Sequence, residues 1–222
     1  MAGCFSTQSF KHVNSGEGGL LVTNDEDVAA RAVLLSGSYM LYEQHGARPN
    51  AEVFDRHRFT TPNFSMRMSA LAAALVRPQL DLLPQRAETW NARYRELAEG
   101  LRRIDGVVVP ERDPRESFVA SSIQFSLDHD NIPSVLARAS ERGVFIKWFG
   151  ADEPVGFTSR FDHWRYAPEQ PPASTQELAA TQGLAATQLV LAGLCDMRIP
   201  LSMTSEQAVD IVRIIDASIA KA

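Results

Sequence analysis

The chain has 222 residues, with 22 lysines plus arginines against 27 aspartates plus glutamates, a formal net charge of −5 and 45% hydrophobic residues. That length holds one large domain or two smaller ones, the composition is that of a soluble globular protein, and the acidic balance argues against a nucleic-acid partner, which needs clustered basic residues. No apolar run approaches the roughly 20 residues that cross a bilayer, the start lacks a secretion signal, and Cys4 and Cys195 form neither a disulfide framework nor a metal-ligand spacing, so a reducing cytoplasm is the expected setting.

The first informative stretch is CFSTQSFKHVNSGEGGLLVTND, residues 4–25. A Ser-rich segment leads to Lys11, a Gly-Glu-Gly-Gly turn follows at 16–19, and a short apolar run, Leu20 to Val22, comes next. Such a turn requires glycine, which takes φ > 0 freely and lets other groups approach the backbone. Only Lys11, Lys147 and Lys221 are lysines. A chain that uses arginine for generic positive charge and keeps Lys11 points to a lysine-specific role, a solvated surface lysine being the bland alternative. An amine held in a dry pocket can bond a carbonyl carbon as a Schiff base.

Residues 24–37 read as a helix with acids in its first turn, suited to the positive end of the helix dipole, and with Val28, Ala32 and Leu35 as its packing stripe. Residues 41–62, with His45, Gly46, Pro49, His57 and Pro62, read as a long irregular loop, either functional or mobile. Two histidines without a third partner define no metal site. Residues 68–83 and 86–104 read as two helices, Pro84 opening the second. Trp90, Tyr94, Leu97, Leu101 and Ile104 then share one packing face. Asp105 and Gly106 end that helix, and the expected domains are 1–104 and 105–222.

Beyond that boundary strands and helices alternate. Residues 107–109 and 118–127 read as strands, and a helix opened by Asn131 and Pro133 runs to Arg142 and stops at Gly143. A buried strand follows at 144–149 with Trp148 in the core, then an aromatic, Pro-rich loop at 150–172 with Trp164 and Tyr166, a helix at 174–191 and a last strand at 195–203. Thr204 opens the final helix with a capping box closed by Gln207, and Val209, Val212, Ile215 and Ile219 form its stripe. This βαβ-type alternation gives an α/β fold class.

Two blocks carry a resemblance. FSTQSFKHVNSGEGGLLVTND, residues 5–25, resembles the active-site segment of the DegT/DnrJ/EryC1/StrS aminotransferases, where a Phe-Ser pair precedes the lysine that binds pyridoxal phosphate (PLP) and a Gly-Glu-Gly-Gly turn follows it. NFSMRMSALAAALVRPQLDLL, residues 63–83, resembles the family's Asn-aromatic-Arg-Met-Ser stretch at the head of a long Ala-rich helix. The blocks stand in the family's order in the first third of the chain, and the remainder is similar in layout. The resemblance implies a partial fold-type I PLP-transferase: the end of the large PLP-binding domain with its linking helices, then the small C-terminal α/β domain. The upstream part, with the acidic partner of the pyridine nitrogen and the residue stacked on the ring, is expected to lie before residue 1.

The same resemblance implies a PLP-dependent aminotransferase that moves an amino group from an amino-acid donor to a keto acceptor, such as a keto sugar. Lys11 matches the Schiff-base lysine and proton shuttle, and Ser6 a serine that hydrogen-bonds the cofactor phosphate. Asn63 matches an asparagine reaching the phosphate of the neighbouring subunit, which implies a homodimer with shared sites. Arg67 is a candidate for a substrate carboxylate or phosphate, as a bidentate donor. The chain departs from the family in three places. Thr7-Gln8-Ser9 replaces an aromatic or histidine, two more residues than usual separate Asn63 from Arg67, and Lys147 to Gly150 replaces a His-Tyr block. The alternatives are a PLP sugar dehydratase of the family, against which Lys11 argues because histidine typically replaces the lysine there, and a non-catalytic α/β binding or regulatory module or inactive remnant. The 222 residues alone are expected to show weak activity or none.

Overall fold

The structure is a computed structural model; it describes every residue except 39, 41, 47, 152–184 and 222. The expected loop with Trp164 and Tyr166, and most of the expected helix at 174–191, therefore lie outside the described residues. Two compact units are present, Met1–Pro84 and Gln85–Ala222.

In the first unit, β1 (Ala2–Ser6) and β2 (Gly19–Thr23) pair antiparallel, Ala2 opposite Thr23 and Ser6 opposite Gly19. Helix α1 (Glu26–Leu35) starts where the Asp25 carboxylate accepts from the amides of Asp27 and Val28, an N-cap that satisfies two otherwise orphaned donors. Its buried residues are Ala30, Val33 and Leu34, whereas the expected stripe of Val28, Ala32 and Leu35 is half-buried. At 3.6 residues per turn these two sets lie on opposite sides of the helix. The sequence of α1 is apolar on both sides, so periodicity could not choose, and tertiary packing decided.

The expected irregular loop is partly ordered. It holds a 3₁₀ turn, Tyr42–Gln44, and α2 (Ala51–His57), capped by the Asn50 side chain. The Tyr42 ring stacks on Phe54 with centroids 4.1 Å apart, and its hydroxyl donates to the Pro49 carbonyl at 2.9 Å. Helices α1 and α2 are tied by one carboxylate: Asp27 Oδ1 lies 2.6 Å from His57 Nε2 and 2.9 Å from an Arg56 nitrogen. Those hydrogen bonds, His57 first and then Arg56, hold the Asp27 carboxyl below its ordinary range.

Helix α3 runs unbroken from Ala70 to Leu101, through Pro78 and Pro84, where two helices meeting at Pro84 were expected. Each proline removes one helical hydrogen bond, to Ala74 and Leu80 in turn. All four of these residues are exposed, so water can take the place of the missing donor. Helix α3 contributes to both compact units, and Trp90, Tyr94, Leu97 and Leu101 on its later half belong to the core of the second.

That core is a four-stranded sheet in the order β3 (Val107–Val108), β4 (Ser122–Leu127), β6 (Leu194–Arg198), β5 (Lys147–Trp148), with every neighbouring pair antiparallel. Strands β4 and β5 are therefore parallel to one another with β6 between them, a split βαβ unit crossed by α4 (Ile132–Glu141). Period-two alternation buries Ile123, Phe125 and Leu127 of β4 opposite Cys195 and Met197 of β6. The same cluster contains Ile132, Val135 and Ala139 of α4 and Ala208 and Ile215 of the last helix, α6 (Ser205–Ile219). The opposite sheet face pairs Gln124 with Asp196 and Asp196 with Lys147. Of the expected strand 144–149 only Lys147–Trp148 forms a strand, with the Phe149 N–H adding a bond to the Leu194 carbonyl at 3.0 Å. Trp148 is half-buried rather than a core residue, its indole donating to the Ala192 carbonyl at 2.7 Å. The helix before β6 is α5 (Ala185–Gly193). Both bonds of the expected capping box form at Thr204 and Gln207. On α6, Val212, Ile215 and Ile219 pack inward, but Val209 is exposed and Ala208 takes its place.

Burial pushes the Cys195 thiol up to about 12 from an ordinary value of 9.0. Between these values the unfolded chain releases a proton that the folded chain keeps, so stability falls as pH rises through that window. Chemical denaturation at a series of alkaline pH values is expected to show this decline, and Cys195→Val to lessen it. At pH 8 a thiol reagent is expected to label exposed Cys4 well before buried Cys195.

Candidate functional site

The loop joining β1 to β2 is built by its own backbone. Thr7 N–H donates to the Gly18 carbonyl, Ser9 N–H to Gly16 and Ser15 N–H to Thr7, each at 2.9 Å. Thr7 is only 1% exposed, and its hydroxyl lies 3.1 Å from that of Ser15. Gly18 has φ +142°, and a Cβ there would meet Thr7 Oγ1 at 2.7 Å and the Met68 methyl at 3.0 Å. Gly16 has φ +88°. Both positions need glycine, the first for space and backbone alike.

Lys11 stands in this loop and is exposed. Its own N–H donates to the Gln8 carbonyl at 2.9 Å. Its carbonyl accepts from Asn14 Nδ2 at 3.3 Å, and no hydrogen bond or ion pair to another described residue engages its ammonium. Ser6 ends β1 and is also exposed; its Oγ accepts from the Gln8 amide at 3.2 Å.

Asn63 and Arg67 meet at the C-terminus of α1. Gly37, φ +86°, closes that helix. Its N–H donates to Leu34 and that of Ser38 to Val33, the two bonds of a Schellman ending. A Cβ on Gly37 would meet Asn63 Oδ1 at 2.7 Å and an Arg67 nitrogen at 2.9 Å. The Arg67 guanidinium donates to the carbonyls of Ser36 and Gly37 at 3.3 and 3.4 Å, a cation at the negative end of the helix dipole. Asn63 Oδ1 accepts from the Ser65 amide at 2.8 Å. Ser65 has φ 53°, and the side chains on either side of it, those of Asn63 and Arg67, reach the same glycine. The four residues thus form two pairs, Ser6 with Lys11 on the hairpin loop and Asn63 with Arg67 at the end of α1. Met68, next to Arg67, touches the hairpin loop at Gly18.

Thr7, Asn14, Ser15 and Gln79 escaped the sequence reading. Thr7 and Ser15 pair at a separation of eight positions, and Gln79 and Asn14 at a separation of 65; neither contact follows a helical or strand period. Among the described residues no group of three or more His, Cys, Asp or Glu could hold a metal ion, and no helix is long and apolar enough to cross a membrane.

Solved structures that share this fold include an aminotransferase, a synthase and a dehydratase. The chain is similar to 3-amino-5-hydroxybenzoic acid synthase, at 21% identity and TM-score 0.69, covering 100% of this chain and 55% of that one. It is similar to the aminotransferase TlmJ from Streptoalloteichus hindustanus, at 16% identity and TM-score 0.65, covering 99% and 52%. It is also similar to the E. coli GDP-4-keto-6-deoxy-D-mannose-3-dehydratase with bound hydrated PLP, at 13% identity and TM-score 0.69, covering 96% and 54%. The chain thus spans about half the length of each of these three structures. The model of the DegT/DnrJ/EryC1/StrS aminotransferase family matches residues 1–216, and the chain belongs to that family. PLP is the family's cofactor.

Gly18→Ala is expected to cost on the order of 1–3 kcal/mol, since it adds a clash to a conformation that only glycine takes readily. Gly46→Ala, where a Cβ meets nothing within 4 Å, is expected to change stability by less than about 0.5 kcal/mol. Paired thermal melts of the two variants check this.

Proposed function

We propose that this chain carries the lysine-bearing part of the active site of a PLP-dependent aminotransferase, with an amino-acid donor and a keto acceptor, keto sugars being one class. The observation that carries the reading is a lysine ammonium with no hydrogen-bond partner among the described residues and an exposed serine hydroxyl that accepts from the Gln8 amide, both presented by one internally braced loop within the family's segment. When bound, PLP supplies an aldehyde that takes up an amine and a ring that withdraws electrons from the carbon bearing it.

The residues present fit that group. Lys11 Nζ is the amine that holds the aldehyde and, when free, carries the proton removed from the substrate carbon. Among the described residues Ser6 Oγ only accepts, from Gln8, which leaves its O–H for a phosphate oxygen. Asn63 commits its oxygen to Ser65 and keeps its NH₂ as a donor toward a phosphate, that of a second copy in a homodimer. Arg67 directs one nitrogen to α1, and its remaining donors, without a partner among the described residues, suit a substrate carboxylate or phosphate. Lys11 disfavours a dehydratase of the family, in which histidine stands at that place.

Apolar side chains line the β1–β2 ribbon on both faces, with Phe5 58%, Leu21 43% and Val22 60% exposed. Strands covered on both faces of a larger sheet read this way. In this proposal further protein covers the ribbon and encloses Lys11, which by itself is open to water.

Borohydride reduction of the PLP-loaded protein, followed by peptide mapping, is expected to place a pyridoxyl group on Lys11. Lys11→Ala is expected to lose the visible absorbance. A label on another lysine, or unchanged colour in the variant, removes Lys11 from the site.

A further inference from the structure

The Lys11 loop is fastened to α3 by one side chain. Gln79 Nε2 donates to the Asn14 carbonyl at 2.7 Å, and the Asn14 N–H donates back to Gln79 Oε1 at 3.1 Å. A side-chain amide thus pairs with a peptide group as a neighbouring strand would. Gln79 Nε2 also donates to Leu75 O one turn earlier, at 2.7 Å, which holds the side chain in one orientation on its own helix. Val76, on the same side of α3, is buried. From Asn14, a side-chain bond runs back to the Lys11 carbonyl. Lys11 therefore sits between the Gln8 turn on one side and a pin to a rigid helix on the other.

We propose that Gln79 is a positioning residue for the Lys11 amine, a role that rests on the reading of Lys11 as the PLP-bonding lysine. That amine has to reach the same point in two states, bonded to the aldehyde and free as a proton carrier. Both depend on where the backbone holds Cα of residue 11, and misplacement by about 1 Å is costly for such chemistry. Because Asn14 lies three positions away, Gln79 acts through the loop and touches neither cofactor nor substrate.

The test uses the PLP-loaded protein and Gln79→Leu, which is near in size and lacks both amide bonds, with Gln79→Glu as a second variant that keeps the acceptor and loses the donor. Amide hydrogen exchange at residues 11–14, PLP affinity from the visible band, and the pH midpoint of that band are measured, with borohydride mapping of the wild type alongside. Expected are faster exchange at Asn14, PLP bound about tenfold more weakly and a displaced pH midpoint in Gln79→Leu, with a smaller change in Gln79→Glu. Faster exchange with cofactor affinity and midpoint unchanged would make Gln79 a structural tie alone and overturn the proposal. Unchanged exchange would overturn it as well. If Gln79→Leu does not fold, Gln79→Glu decides by the same readings. Absence of a pyridoxyl label on Lys11 of the wild type brings down the reading of Lys11 itself, an outcome distinct from a labelled wild type with indifferent variants.

Discussion

Pairing of side-chain amides on α3 with peptide groups of distant segments is the interaction on which the rest leans. Gln79 does this for Asn14 in the first unit. In the second, Asn91 donates to the Phe118 carbonyl at 2.7 Å and accepts from the Ala120 amide at 2.9 Å, fixing the entry to β4. A short connecting segment leaves backbone donors and acceptors unpaired, and each left unmet in a partly buried place is expensive. An amide side chain satisfies one of each from a single position. A helix long enough to carry two such residues therefore sets the path of two separate loops, and α3 is that helix.

The hairpin loop shows how little freedom remains once those bonds are made. The Thr7 hydroxyl and the Gly18 backbone occupy one space, so neither can change alone. The bracing is internal, and the side chains it presents, those of Ser6 and Lys11, are exposed. The apolar ribbon beneath them is exposed too. A braced loop with its polar side chains outward beside an exposed apolar ribbon is a surface suited to contact with other protein.

Legibility differed by element. The capping box at Thr204 and the stripe on the later half of α3 were plain because each is a local rule, a fixed offset or a 3.6-residue period. The face of α1 was not, since apolar residues on both sides left periodicity without a preference. Pro84 read as the start of a new helix because an interior proline costs a hydrogen bond, yet the helix continues where that bond would have faced water. The alternation of strands with helices read as βαβ, and only pairing could reveal that β6 lies between β4 and β5.

For the site, the motif around Lys11 and the glycine turn, together with the block from Asn63, was available from residue order alone, because turn chemistry and family segments are written locally. Family membership follows from that order. The tertiary structure decided the rest. It brought Asn63 and Arg67 to one glycine at the end of α1, buried Thr7 against Gly18, and set Gln79 beside Asn14. These are contacts between positions far apart in the chain, and which distant polar groups meet is settled only when hydrophobic packing has placed the elements that carry them.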